Sequence, residues 1–353
     1  MELKTPSQEV GTIHEIRAQT SANREAIADY FLYHFTTPET HPAEREKSAE
    51  FVELLSKINT DLKGFIESYG GSFVELGADR FLLIDFDKLP DEKKQEIRNS
   101  FPPEVDLVAC YVSPVQKIVT FRDYGQDSKL RFAITLVHEL MHAQAFQKVG
   151  QSTREDPRTF NEILYDNEAG QEVAVPVRYI QHGWGVQNRA REDLFWAIDE
   201  AIAEELTTRF DHQFFGNYPE LAPEIAVRKD FTDCIEFTDA QLNTAGLPSI
   251  ATVSFNRWQE DDGYRSEVTV EERSYKNPRA FLKHLILDIF EKHQEQFREP
   301  EEIFTLFAKT ALSGDFRPVV ELIRNTHGPD GFKRLGEQTN NLMEDSIEED
   351  KAE

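Results

Sequence analysis

The feature that most constrains this chain is an acid and two histidines set inside an apolar helical pattern. Leu136-Val137-His138-Glu139-Leu140-Met141-His142-Ala143 reads H-E-x-x-H. Phe132, Ala133, Ile134, Leu136, Val137, Leu140, Met141, Ala145, Phe146 and Val149 make the segment apolar nearly all round. A helix of that kind is buried, and buried imidazoles and carboxylates are costly unless a metal or a partner group satisfies them. Positions four apart share one helix face, so His138 and His142 can grip one ion together. Glu139 is turned about 100° from His138, within reach of a water on that ion. Zinc held by neutral imidazoles with one open position lowers the pKa of its water, and a nearby carboxylate can take the proton. A histidine pair satisfied within an ordinary core is the competing reading of the same residues.

Composition narrows the partners. The chain has 353 residues, enough for one large domain or two smaller ones. Its formal net charge of -26 repels nucleic acid and anionic membranes, which excludes both as main partners. Cys110 and Cys234 give neither metal-type spacing nor a disulfide framework, and each reads as a small buried hydrophobe. Met1 to Ser21 lacks the apolar core of a signal peptide, and no apolar run approaches the length of a membrane span. The expected address is the cytoplasm.

The pattern along the chain predicts an α+β fold: a small mixed sheet packed on the H-E-x-x-H helix, followed by a mainly helical C-terminal half. Residues 1–42 read as an N-terminal extension with one helix, from Ser21 to His34. Residues 43–150 read as an α/β subdomain. It starts with a long helix from Ala43 to Tyr69, ended by Gly70-Gly71. Strands follow at Ser72–Leu76, Phe81–Phe86, Leu107–Val112 and Lys117–Phe121, with a short helix, Asp91–Phe101, between the second and third. The last of these strands is expected beside the metal, its edge open to an extended peptide. Asp127 or Ser128 caps the motif helix, and Gly150 stops it. Residues 151–336 read as a mainly helical subdomain, and 337–353 as an acidic disordered tail. Gln151 to Arg191 is irregular, and a functional loop and a poorly ordered insertion both suit it. Ile250–Phe255 and Glu267–Val270 read as strands, and Phe281–Phe290, Pro300–Leu312, Pro318–Asn325 and Asp330–Leu335 as helices.

A second helix, from about Glu192 to His212, carries Asp199-Glu200-Ala201-Ile202-Ala203-Glu204. Ala197 and Ala203 flank Glu200 three residues away on either side, and small residues let a helix approach its neighbour closely. Glu200 can then project toward the two histidines. The alternative places it on a solvated face with Asp193 and Glu204.

These two motif helices together resemble the gluzincin branch of zinc metallopeptidases. In that family H-E-x-x-H supplies two zinc ligands, and a glutamate on a downstream helix supplies the third. The downstream motif takes forms such as N-E-A-I-S-D in thermolysin-like enzymes, and residues 199–204 look closest to that form. The resemblance makes His138, His142 and Glu200 the ligands of one Zn2+ per chain. It makes Glu139 the general base and acid, and gives Glu204 the place of a carboxylate that orients a ligating imidazole. It implies a zincin-like fold, with 275–335 similar to the terminal helices of small single-domain gluzincins. The metzincin pattern fails, because Ala145 stands where its glycine should be and Lys148 where its third histidine should be. The chain also departs from thermolysin-like enzymes: Glu200 comes 58 residues after His142, and no G-x-M-E-N exopeptidase motif stands upstream.

Gluzincins further use a Tyr or His to stabilise the oxyanion. Tyr275 is the first candidate for that catalytic role, followed by His284, His327 and His182, each of which also suits a structural role. The implied function is zinc-dependent hydrolysis of a peptide or protein substrate. The rival readings are a zinc hydrolase acting on a non-peptide amide and a non-catalytic binding protein that keeps the fold.

Overall fold

Ser48 caps the first long helix by accepting the Phe51 N–H on its hydroxyl, and helix α1 then runs Ala49–Ser68. Gly70, at φ 77°, turns the chain out of the helix as its position suggested. The start falls six residues after the expected Ala43, which lies in a short 3-10 turn, His41–Ala43. The protein is described by a computed structural model covering residues 41–99, 109–112, 117–121, 128–151, 161–166, 172–187, 193–234, 251–260, 263–272 and 276–339. The helix expected at Ser21–His34, the candidate Tyr275 and the tail from 340 lie outside these residues.

A three-stranded sheet follows. Its strands are β1 (Phe81–Leu83), β2 (Ala109–Val112) and β3 (Lys117–Thr120), and helix α2 (Asp91–Asn99) lies between the first two. The spatial order is β1-β3-β2, with β1 parallel and β2 antiparallel to β3. The sheet is mixed, as expected, but two readings need correction. Lys117–Thr120 is flanked on both sides, so its edge is not open; among the described strands of this sheet the edge beside the motif helix belongs to β2. Ser72–Leu76 forms no strand, because the side-chain amide of Gln144 takes up both backbone groups of Val74, at 2.8 and 2.9 Å.

Helix α3, Lys129–Gln144, carries H-E-x-x-H. Ser128 is the N-cap and accepts the Arg131 N–H. The Glu224 carboxylate reinforces this end by accepting the N–H groups of Lys129 and Leu130 and the Ser128 hydroxyl. The helix stops at Gln144, six residues before the expected Gly150. Beyond it the Phe146 N–H donates to the Ala311 carbonyl and the Phe146 carbonyl accepts from Gly183, so the chain is drawn out straight. It continues as β4 (Gln147–Gln151).

The stretch Gln151–Arg191 is not structureless. It contributes β5 (Asn161–Asp166), β6 (Glu172–His182) and β7 (Gly185–Gln187), which join β4 and β8 (Asp193–Leu194) in a five-stranded antiparallel sheet centred on β6. Helix α4 (Trp196–Phe214) follows, then α5 (Ala222–Cys234), which the sequence pattern did not disclose. Strands β9 (Ala251–Glu260) and β10 (Gly263–Glu272) pair as an antiparallel ribbon, longer than expected. Helices α6 (Lys276–Lys292), α7 (Pro300–Ser313), α8 (Arg317–His327) and α9 (331–339) complete the mainly helical C-terminal half. The last extends past 336, where the acidic tail was expected to begin. The architecture is mixed α+β and mostly helical, and no described helix is long and apolar enough to cross a membrane.

Helix α4 runs through the centre. Residues 197 to 208 are all buried, against α3, α6, α7, α1 and β7. Trp184, just before β7, is fully buried, stacks on Phe307 at 5.0 Å and donates its indole N–H to the Phe307 carbonyl. That anchor pins the β6–β7 turn against α7, while the Trp184 backbone N–H donates to Asp199 in the first turn of α4.

Candidate metal centre

Burial of α4 leaves Asp199, Glu200, Glu204, Glu205 and Asp211 on one helix with almost no access to water. Buried carboxylates require cationic or hydrogen-bonding partners. Arg279 serves Glu205 and Arg228 serves Asp211. The other three face the histidines of α3 and β6, which sets the solvated-face reading of Glu200 aside: it is 4% exposed.

His138, His142 and Glu200 converge. His138 Nε2 and His142 Nε2 lie 3.1 Å apart, and Glu200 Oε2 stands 3.4 Å from the first and 3.3 Å from the second. The three atoms form a nearly equilateral triangle. Donors around one tetrahedral ion at about 2.0–2.2 Å sit about 3.3 Å from one another. Glu200 Oε2 is buried and accepts no hydrogen bond of good geometry, although its two neighbours are imidazoles. The donor set, two nitrogens and one carboxylate oxygen, suits a divalent metal ion.

Each imidazole is backed by a second carboxylate. His138 Nδ1 is 2.9 Å from Glu204 Oε2, so a proton on Nδ1 leaves the Nε2 lone pair pointing into the triangle. His142 Nδ1 faces Asp199 Oδ2 at 3.6 Å, an ion-pair distance. The surroundings move the ionisation of these groups strongly. Burial alone would depress His138, but Glu200 and Glu204 outweigh it and raise the ring to about 9. Burial is likewise overcome at Glu200, which His142 and His138 hold well below the usual carboxylate range. Glu139 goes the other way: burial pushes it up, against the two imidazoles and the Tyr111 N–H that its carboxylate accepts. A buried carboxyl of raised pKa beside a metal-type donor set is suited to taking and returning a proton.

The other expected site residues fall elsewhere. His284 is exposed on α6, and His327 on α8 lies 3.4 Å from Asp288; neither joins the donor clusters among the described residues. His182 does reach the site, but with both ring nitrogens engaged: Nδ1 lies 3.3 Å from Asp199 Oδ2 and Nε2 2.9 Å from the His142 carbonyl. It stands behind the His142 ring, which removes it as an oxyanion donor. Sequence reasoning missed Asp199 and Tyr111. Asp199 had a signal, since it adjoins Glu200 in the motif Asp199-Glu200-Ala201-Ile202-Ala203-Glu204; Tyr111 had none, because strand order decides which backbone N–H meets Glu139.

No family model, characterised protein or solved structure matches this chain.

Proposed function

We propose that the protein is a zinc-dependent metallopeptidase of the gluzincin type, with His138, His142 and Glu200 holding one Zn2+. The observation that supports this most is the triangle of Nε2, Nε2 and Oε2 with edges of 3.1 to 3.4 Å, lined by a buried Glu139. A zincin-like frame is supported by the mixed sheet whose strand β2 runs beside the H-E-x-x-H helix.

The ion, when bound, supplies a Lewis acid and a water of lowered pKa. The residues do the rest. His138, oriented by Glu204, and His142, facing Asp199, present their Nε2 lone pairs inward. Glu139 takes one proton from the attacking water as its oxygen adds to the scissile carbonyl carbon. It returns that proton to the amine as the C–N bond breaks. The Tyr111 N–H holds Glu139 beside β2, which is an edge strand among the described strands, and the outward backbone groups of Ala109 on that edge are offered to an extended peptide. Tyr275, which lies outside the described residues, remains the first candidate for stabilising the oxyanion, and in that role Tyr275→Phe is expected to lower kcat more than it changes KM.

The test combines metal analysis with a peptide library. Purified protein is expected to carry about one zinc per chain, lost in Glu200→Ala. It should cleave peptides, whereas Glu139→Gln keeps the zinc and loses turnover. Full activity of Glu139→Gln would remove the mechanism. A zinc-loaded protein that cleaves no peptide would move the substrate to a non-peptide amide.

A further inference from the structure

We propose that Phe195 is a positioning residue for the metal centre: its strained backbone sets the angle at which α4 presents Glu200, and helix α9 holds it there. This rests on the reading of Glu200 as the third ligand. It gives the C-terminal helix, which touches none of the donors, a part in metal binding.

Phe195 alone makes the turn from β8 into α4. Leu194 before it is still paired with Val186 of β7, and Trp196 after it is already helical. The Phe195 carbonyl accepts the N–H groups of Ile198 and Asp199, both at 3.1 Å, so the helix begins at once. To make this turn Phe195 takes φ 62° and ψ 10°, and it is the only residue other than glycine with positive φ among the described residues. For a bulky side chain that conformation is an outlier, which persists only where the surroundings impose it. Here the buried ring packs on Phe332 at 4.7 Å and on Trp184 at 6.1 Å. A Cβ on Gly336 would lie 2.8 Å from the Phe195 Cζ, so bare backbone seats the tip of the ring. Phe332 and Gly336 are four apart and share one face of α9. The turn fixes how far α4 is rotated about its own axis, and Glu200 follows five residues on. A rotation of about 20° moves an atom about 5–6 Å from the axis by about 2 Å. Metal–ligand distances tolerate only about 0.2 Å. A glycine would make the same turn without the strain, but it would leave α9 no ring to hold.

The test is zinc affinity of the full-length protein, measured by chelator competition. Phe195→Ala loses the ring and keeps the left-handed strain, and its affinity is expected to fall about 10-fold or more. Phe195→Gly also loses the ring but relieves the backbone, so it should bind zinc more tightly than Phe195→Ala. A role in packing alone would leave both folded variants near wild type, or make the smaller residue the worse. Phe332→Ala, which leaves Phe195 unchanged, is expected to weaken zinc binding several-fold. In the Phe195→Gly background it should have no further effect, because no ring is left to hold. Circular dichroism and melting establish that each variant is folded, and Phe332→Ala decides the matter should Phe195→Ala not fold. Wild-type zinc binding with Phe195→Ala as tight as Phe195→Gly or tighter would overturn the clamp alone. So would Phe332→Ala equal to wild type, or an added loss in the double variant. Wild-type protein that binds no zinc would overturn the metal site and the clamp together.

Discussion

Glu204 Oε2 stands 2.9 Å from His138 Nδ1, one helical turn along α4 from the carboxylate that closes the donor triangle. The four-residue spacing puts Glu200 and Glu204 on one face, so a single helix both completes the donor set and orients one of its rings. Glu204→Ala is expected to weaken zinc binding about 10- to 100-fold while leaving Glu200 in place. Chelator competition measures it, and an unchanged affinity would mean that α3 alone fixes the His138 ring.

Metal removal tests the same cluster from the side of stability. Asp199, Glu200 and Glu204 are buried, and the structure gives them imidazoles where Glu205 and Asp211 have guanidinium groups. A ligand that binds only the folded state at about 1,000 times its Kd adds about 4 kcal/mol. Zinc is therefore expected to raise the melting temperature by several degrees over chelator-treated protein, an increment that Glu200→Ala removes. Equal melting with zinc and with chelator in the wild type would argue against a tight site.

The N-terminus of α3 makes a contrasting prediction. Glu224 caps it from α5 through two backbone N–H groups and the Ser128 hydroxyl, ten residues before His138. Glu224→Ala is expected to cost about 1–2 kcal/mol of stability, read as a drop in melting temperature. Zinc affinity should be unchanged, since the cap touches none of the donors. A large loss of zinc binding would show that the far end of α3 controls the site.

How much of this was legible in the sequence follows from the physics of each contact. His138, Glu139 and His142 could be placed together because helical spacing alone decides their face. Glu200 could be proposed because Ala197 and Ala203 flank it and let the helix approach a neighbour, although the polar residues of the same helix kept a solvated face open as the alternative. The Asp199–His182 contact was not legible: it depends on where a β turn lands, and β4 to β7 carry no clean alternation. The end of α3 was misread for a related reason. Phe146 and Val149 continue the apolar pattern, and only the hydrogen bonds of Phe146 to Ala311 and Gly183 convert them to extended chain. Strand order also escaped, because pairing of β3 with β1 rather than an open edge is set by the whole sheet.

The corrected sheet order yields a kinetic prediction. Tyr111 donates its N–H to Glu139, and the Thr120 carbonyl accepts the Ile84 N–H on the far side of β3. Tyr111 and Ala109, opposite Ile118 and Thr120, are thus the residues of β2 whose backbone groups point away from β3. Ala109→Pro removes one outward N–H without breaking a ladder bond. For a peptide substrate it is expected to raise KM several-fold with kcat little changed. An unaltered KM would place the substrate elsewhere.

The last prediction separates stability from function with two glycines. Gly183 has φ 52°, and a Cβ there would lie 2.0 Å from Asp199 Oδ1. Gly314 has φ 70°, and a Cβ there would lie 2.4 Å from the Phe146 ring. The left-handed backbone alone costs about 1–2 kcal/mol for an alanine, and each clash adds to it. Both Gly183→Ala and Gly314→Ala are therefore expected to lower the melting temperature. They should differ at the metal. The first displaces the carboxylate that faces His142, whereas the second presses on a ring beyond the end of α3. Gly183→Ala is expected to weaken zinc binding about 10-fold or more, and Gly314→Ala to leave it near wild type. Equal zinc affinity in the two variants at matched loss of stability would mean that the turn supports the fold without acting on the donors.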